Sequence, residues 1–246
     1  MAALETEVRK VLEATPRREQ WQEGNVQIYR SPERGWIMAL CGVGREGVDR
    51  TIEALARHRP QGVIATGFVA GLEEGLRPGL LVAPEQVCLL EEWVGTARIG
   101  PIVEVDSEWL AFCQRALGPA LRLVHGAVTV GRILVSPRQK RLLAHSTHAS
   151  IADLESYWVG VACRARGIPF VVVRVVMDSL HHALPPFLEG YRGSSMERAA
   201  LGWALWHPWW WPRLWGLRRA ALQAQNALGK GLVALTHAWE AQREAA

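Results

Sequence analysis

The chain has 246 residues, enough for one α/β domain with appendages and for a core that can hold an enzyme cleft. Apolar residues make up 49% and charged residues 21%, a globular balance that excludes a disordered chain. The formal charge of +4 is too modest to argue for a nucleic-acid partner.

Ala3 to Ala14 has helical composition and is stopped by Thr15-Pro16. Val26–Arg30 and Trp36–Cys41 read as strands joined by the turn at residues 31–35. Gly42-x-Gly44-x-x-Gly47 leads into a helix, Arg45 to His58, and Val63–Gly67 is a buried strand entering a glycine-rich turn. Leu80–Pro84 is the next strand, with a looser region to Glu104. Asp106-Ser107 starts a helix that runs to Leu117. Ala127–Val130 and Ile133–Val135 are strand-like, and Gln139–His145 is a short helix. Asp153–Arg166 reads as a helix stopped by Gly167, before the apolar strand Phe170–Val176. The alternation predicts an α/β fold with a mainly parallel sheet. From Leu214 to Trp239 apolar residues recur every three or four positions, an amphipathic helix with candidate breaks at Gly229 and Gly231.

Cys41, Cys88, Cys113 and Cys163 lie far apart without a CxxC pair, as in reduced, buried thiols of a cytoplasmic protein. The start MAALETEVRK lacks the apolar core of a signal peptide, and no stretch has the length and purity of a transmembrane helix. His181-His182 and His145-x-x-His148 lack acid or cysteine partners at ligand spacing, so no metal site is expected.

Three constellations are candidates for chemistry. Gly42-x-Gly44-x-x-Gly47 has the spacing of a dinucleotide fingerprint, but the strand after it ends in Ala65-Thr66-Gly67-Phe68 without the acid that would hold ribose hydroxyls. Tight-turn glycines are the preferred reading, with NAD-dependent oxidoreduction as the alternative. Asp153-Leu154-Glu155-Ser156 opens a helix, where acids either cap free N–H groups or serve a site. Asp178 is one of only four aspartates and follows the apolar strand, at the end where open α/β sheets bind ligands.

Taken in order, residues 66–72 (TGFVAGL), 153–156 (DLES) and 169–178 (PFVVVRVVMD) resemble the purine nucleoside phosphorylase and methylthioadenosine/S-adenosylhomocysteine nucleosidase superfamily. The likeness runs from about residue 3 to about residue 180. Val135-Ser136-Pro137 with Lys140, His182 to Pro186, and the segment around Pro208, Pro212 and Leu214–Leu217 are similar to the hopanoid-associated branch, which is linked to removing adenine from adenosylhopane. The resemblance implies a three-layer nucleoside phosphorylase-like fold with a mixed central sheet flanked by helices in residues 1–190. A Trp-rich, basic helical extension would occupy residues 191–246.

It also implies the chemistry. Breaking the purine N-ribosidic bond gives the ribose oxocarbenium character, and the leaving base must be protonated, usually at N7. Asp178 takes the position of that acid, and its apolar neighbours Val176, Met177 and Leu180 would raise its pKa. Glu155 falls where a glutamate accepts hydrogen bonds from the ribose 2′- and 3′-hydroxyls. Leu134 and Val135 fall in the adenine pocket, Leu134 replacing a phenylalanine of the nucleosidases. Ala70 and Gly71 lie beside the sugar, with Leu154 and Arg174 also in the substrate site. Residues 3–8 (ALETEV) are similar to the nucleosidase segment whose last glutamate activates water, which places that role on Glu7. The nucleosidases have a β-strand before that glutamate that this sequence does not contain. Phe68 replaces a serine of phosphate-binding members, which favours water, with phosphate as the alternative co-substrate and no cofactor.

Six of the 12 tryptophans lie between Trp203 and Trp215, and no acid occurs between Glu197 and Glu240, a stretch that carries Arg198, Arg213, Arg218, Arg219 and Lys230. This pattern suits either an oligomer interface or helical cover for the sheet, or docking on an anionic membrane without spanning it. A protein of the cytoplasm, peripheral on the inner face of the membrane, with an adenosyl-lipid or other 5′-substituted adenosine as substrate, fits these features. A soluble methylthioadenosine/S-adenosylhomocysteine nucleosidase and a non-catalytic membrane scaffold are the rivals.

Overall fold

The computed structural model describes residues 1–2, 5–40, 42, 44–94, 96–189 and 207–245. Cys41, Ala3, Leu4, Trp203, Trp206 and the 190/191 boundary placed from the sequence lie outside the described residues.

A three-stranded antiparallel meander comes first in the chain after helix α1 (Glu5–Ala14): β1 (Glu19–Glu23), β2 (Val26–Ser31) and β3 (Trp36–Leu40). β1 was not legible in the sequence, because its EQWQE run is polar and mostly exposed. Helix α2 (Arg45–Ala56) then leads to the main sheet. Its strands are β4 (Val63–Gly71), β5 (Leu81–Val94), β6 (Thr96–Ile99), β7 (Val103–Glu104), β8 (Leu121–Thr129), β9 (Ile151–Asp153) and β10 (Phe170–Asp178). Helices α3 (Ser107–Leu117), α4 (Pro137–Thr147) and α5 (Ser156–Arg164) connect them, and α6 (Trp211–Glu244) closes the chain.

The sheet is mixed rather than mainly parallel. β10 runs parallel to β4, and β8 is parallel to both β5 and β9, while the β4–β9 and β10–β5 pairings are antiparallel. The β10–β5 pairing, Arg174 with Val82 and Val175 with Leu81, returns the order β10-β4-β9-β8-β5 onto itself. β10 is apolar at almost every position because both its faces are covered. Phe170, Val172 and Val176 enter the core under α2 and α5. Val171, Val173 and Val175 enter a second core with α1, α3 and α6, which makes three layers.

Four sequence expectations are corrected. The looser region after Pro84 is strand: β5 continues to Val94, pairing in turn with β10, β8, β7 and β6. Ile133–Val135 is not a strand. The N–H groups of Val135 and Ser136 donate to Gln139 Oε1 at 3.1 and 3.0 Å, so this apolar run serves the capping box of α4. The helix expected from Asp153 begins at Ser156, since Asp153 ends β9. Finally, α6 is unbroken over 34 residues.

Gly229 and Gly231 do not break α6; they let it approach the domain. A Cβ on Gly229 would stand 2.8 Å from Lys10 Cβ, and one on Gly231 would stand 2.7 Å from Leu81 Cδ1. The cost of a helical glycine, about 1 kcal/mol, is offset by this close packing. Ala224, Leu228, Leu232 and Leu235 are buried in the second core, and Trp239 stacks on Trp109 at 5.4 Å. The apolar stripe therefore faces the protein from Ala220 onward.

Candidate active site

The strand register brings the candidate acids to one end of the sheet. Asp178 at the end of β10 pairs with Ala70 of β4, and Ala70 pairs with Ala152 of β9, the residue before Asp153. The register of the β10–β4 pairing shifts between Val176 and Asp178 at this point. Glu7, Asp153, Glu155 and Asp178 are all buried, as are the cations Lys140 and Arg174. Charges this deep must be paired or neutralised.

Asp153 and Glu155 divide their work. Asp153 is the structural one: its carboxylate accepts the N–H of Ser156 at 3.2 Å, the hydroxyl of Thr129 at 2.7 Å and the hydroxyl of Ser156. Arg174 Nη2 lies 2.9 Å from it. Glu155 occupies the N-cap position of α5, yet its side chain makes no capping hydrogen bond. It faces Arg174 Nη2 at 3.8 Å and accepts the backbone N–H of Gly44. Gly44 is the N-cap of α2 at φ 93°, a left-handed conformation that glycine permits, and in it the residue brings its N–H to Glu155.

Burial pushes the Glu155 pKa up to about 8; Arg174 opposes the shift, while Asp153 and Glu7 add to it. Glu7 comes from α1 and shares Gly67 with Arg174. A Cβ at Gly67 would lie 2.8 Å from Glu7 Oε1 and collide with Arg174 Nη1. Arg174 is held in place by Thr66 O at 2.9 Å and by Ser156 Oγ at 3.0 Å.

Asp178 is 5% exposed, and desolvation raises its pKa against the Lys140 ammonium and the nearby His182. Lys140 Nζ donates to Asp178 Oδ2, to Ser179 O at 2.9 Å and to His182 O at 2.8 Å. Two apolar clusters hold the remaining candidate residues. Leu134 packs in one cluster with Leu72, Val128 and Leu143, against which Ala70 and Leu154 lie. Val135 falls in a neighbouring cluster with Leu184 and Leu188, where Leu217 of α6 also packs. Gly71 is buried, and a Cβ there would stand 2.9 Å from Leu76 Cβ.

Sequence reasoning gave no role to Asp153 as the clasp on Arg174, to Gly44 as a donor, or to Lys140 beyond its place in a motif. A signal for Lys140 existed: with Leu143 and Thr147 it forms the i, i+3, i+7 face that α4 buries. The histidines have ordinary places, His181 against Glu74 at 2.7 Å and His148 as the left-handed C-cap of α4. Cys88, Cys113 and Cys163 are free and buried, with thiol pKa values pushed up to about 11, 12 and 12 by burial.

Known proteins share this arrangement of elements. The chain is 22% identical over 169 residues to a 5′-methylthioadenosine/S-adenosylhomocysteine nucleosidase of an Exiguobacterium species, covering 63% of this chain and 69% of that one. The nucleosidase of the same name from S. pneumoniae, solved with the transition-state inhibitor MT-ImmA, superposes with a TM-score of 0.71 at 15% identity, over 96% of each chain. The Neisseria meningitidis nucleosidase in complex with methylthio-immucillin-A gives 0.67 at 19% identity, over 94% of this chain and 96% of that one. These likenesses establish the mixed α/β nucleoside phosphorylase-like fold. The profile of the Phosphorylase superfamily matches residues 1–198, four-fifths of the sequence, and the chain belongs to that enzyme superfamily.

Proposed function

We propose that this enzyme cleaves the N-ribosidic bond of a purine nucleoside by hydrolysis. In this reading Asp178 is the acid toward the base, Glu155 the acceptor for the ribose hydroxyls and Glu7 the base toward water. The observation that carries it is Glu155: a buried carboxylate at an N-cap that caps nothing, next in the chain to Leu154, which packs against the apolar cluster holding Leu134. A carboxylate relieved of capping has lone pairs for two substrate hydroxyls, and its charge favours a cationic transition state.

Water is favoured over phosphate on electrostatic grounds. Among the described residues Arg174 is the buried cation beside Glu155, and it is already matched to the carboxylates of Asp153 and Glu155. A phosphate dianion would enter a site that already crowds Glu7, Asp153 and Glu155, whereas a neutral water meets no such repulsion.

For the 5′-substituent the reading is an adenosyl-lipid, adenosylhopane by the sequence resemblance, delivered from an anionic membrane surface. The first half of α6 and the turn just before it support it. Trp209, Trp211 and Trp215 are 67%, 51% and 69% exposed, and Arg213, Arg218 and Arg219 are exposed among them, without an acid before Glu240. Aromatic rings at headgroup depth and cations beside anionic lipid are both favourable, each cation by about 1 kcal/mol. Leu217 on the same half-helix packs in the cluster of Val135, so this part of α6 adjoins the site. No described helix is long and apolar enough to cross a membrane.

The test is base release from 5′-methylthioadenosine, S-adenosylhomocysteine and an adenosine bearing a long 5′-alkyl chain, with and without phosphate. Free ribose products in both buffers and preference for the alkyl substrate are expected. Ribose 1-phosphate as the product would overturn hydrolysis, and indifference to the alkyl chain would overturn the lipid reading.

A further inference from the structure

Lys140 has no solvent exposure and is the largest fully buried side chain among the described residues. Removing an ammonium from water costs several kcal/mol, and lysine is almost never fully buried unless paired. Its position on α4, in line with buried Leu143 and Thr147, is one that an apolar residue would fill without that cost. All three ammonium protons are used: Asp178 Oδ2 takes one, and the carbonyls of Ser179 and His182 take the others at 2.9 and 2.8 Å. Those carbonyls belong to the segment just after β10, so the lysine ties down the carboxylate together with the turn that follows it. α4 itself is anchored at its start by the Ser136–Gln139 capping box, and Gln139 Nε2 reaches Glu189 at 2.9 Å.

Resting on the hydrolase reading, we propose that Lys140 is a positioning residue for the acid. It holds Asp178 Oδ2 so that Oδ1 is the oxygen presented to the purine, and supplies the cation that the carboxylate meets once its proton has gone. The balance is simple. The proton on Oδ1 passes to the purine nitrogen, the C–N bond breaks with its electron pair going to the base, water adds at the ribosyl C1 and gives its proton to Glu7, and the new carboxylate faces the waiting ammonium. The pair passes from a net charge of +1 to neutral, and Asp178 regains a proton from solvent after product release. The lysine makes the buried acid a better donor at the moment of transfer. The charged and titratable groups facing Asp178 are Lys140 from α4 and His182 from the turn after β10.

The test is Lys140→Met with Lys140→Arg as the charge-conserving control, read by the pH profile of kcat/KM. An opposite charge at contact lowers a carboxyl pKa by about 1–3 units. In Lys140→Met the limb on which activity falls as Asp178 deprotonates should therefore move up by about 1–3 pH units, with a lower plateau. Lys140→Arg should return the limb toward the wild-type position. A uniform loss at every pH with the limb unmoved would overturn the proposal, since a purely structural lysine gives that result. Thermal unfolding supplies a second reading that needs no substrate. Lys140→Met with Asp178→Asn should lower Tm by less than the two single effects added, because each single variant strands one partner. Additive effects would mean the pair is not coupled. Coupling in a wild-type protein that releases no base would leave the pair standing and fail the hydrolase reading instead.

Discussion

Glu155→Gln separates a substrate-binding carboxylate from a helix cap. The side chain is 6% exposed and makes no capping bond, and Asp153 remains to hold the Ser156 N–H, so the amide should fold. What changes is the acceptor for two ribose hydroxyls. A hydrogen bond to a charged acceptor contributes about 1.5–3 kcal/mol, and the remaining amide oxygen keeps a neutral bond of about 1 kcal/mol to one hydroxyl. One charged bond lost and one weakened total about 2–5 kcal/mol, a loss of roughly 30- to 5,000-fold in kcat/KM. The assay is base release from an adenine riboside and from its 2′,3′-dideoxy counterpart, by both proteins. The riboside should lose by that factor, while the dideoxy compound, which makes neither bond, should change little. Equal losses on both substrates would refute the assignment.

Asp178→Asn should lower turnover by about 10²–10⁴-fold, since the amide cannot give up a proton to the base, while nucleoside affinity measured by calorimetry stays within a few-fold; near wild-type turnover would remove Asp178 from the chemistry. The pH profile follows from Glu155, whose pKa burial pushes up to about 8 from its ordinary value of 4.5. If its ionised form binds the ribose, kcat/KM rises with pH through about 8, and Glu155→Gln lacks that limb. The stability linked to its protonated form is complete below 4.5 and lost as pH rises through 8, so the wild-type Tm should fall over that window more than that of Glu155→Gln. A wild-type kcat/KM flat between pH 6 and 9 would contradict the site electrostatics. Replacing Trp209, Trp211 and Trp215 together with alanine should abolish sedimentation with anionic vesicles at low salt and leave Tm nearly unchanged, because these rings face solvent; binding that survives would place the membrane contact elsewhere.

Much of this candidate site could be picked out in the sequence because the acids that the strand register brings together are rare residues at strand ends. Asp178 stood out as an acid after an apolar run, and Glu155 through its motif. The reading of α3 held because Asp106 is a true cap, accepting the Trp109 N–H at 3.0 Å. What stayed hidden depended on long-range partners. Asp153 looked like the first turn of a helix until β9 paired with β8 and β4. Lys140 stood only as part of the motif with Val135-Ser136-Pro137, and only the fold sets Asp178 over it. Gly229 and Gly231 carried the local signal of a break, whereas their reason lies in Lys10 and Leu81, more than a hundred residues away in the chain. The amphipathic stripe was correct in period but only half available to a membrane, because its second half covers the sheet.

The central claim, hydrolysis of a purine N-ribosidic bond at the Asp178–Glu155 site, is tested most directly by incubating the purified protein with 5′-substituted adenosines in phosphate-free, ¹⁸O-labelled water. Free adenine together with a ribose product carrying ¹⁸O at C1, and loss of both in Asp178→Asn, is the expected result. No base released from any nucleoside, with or without added phosphate, would contradict it.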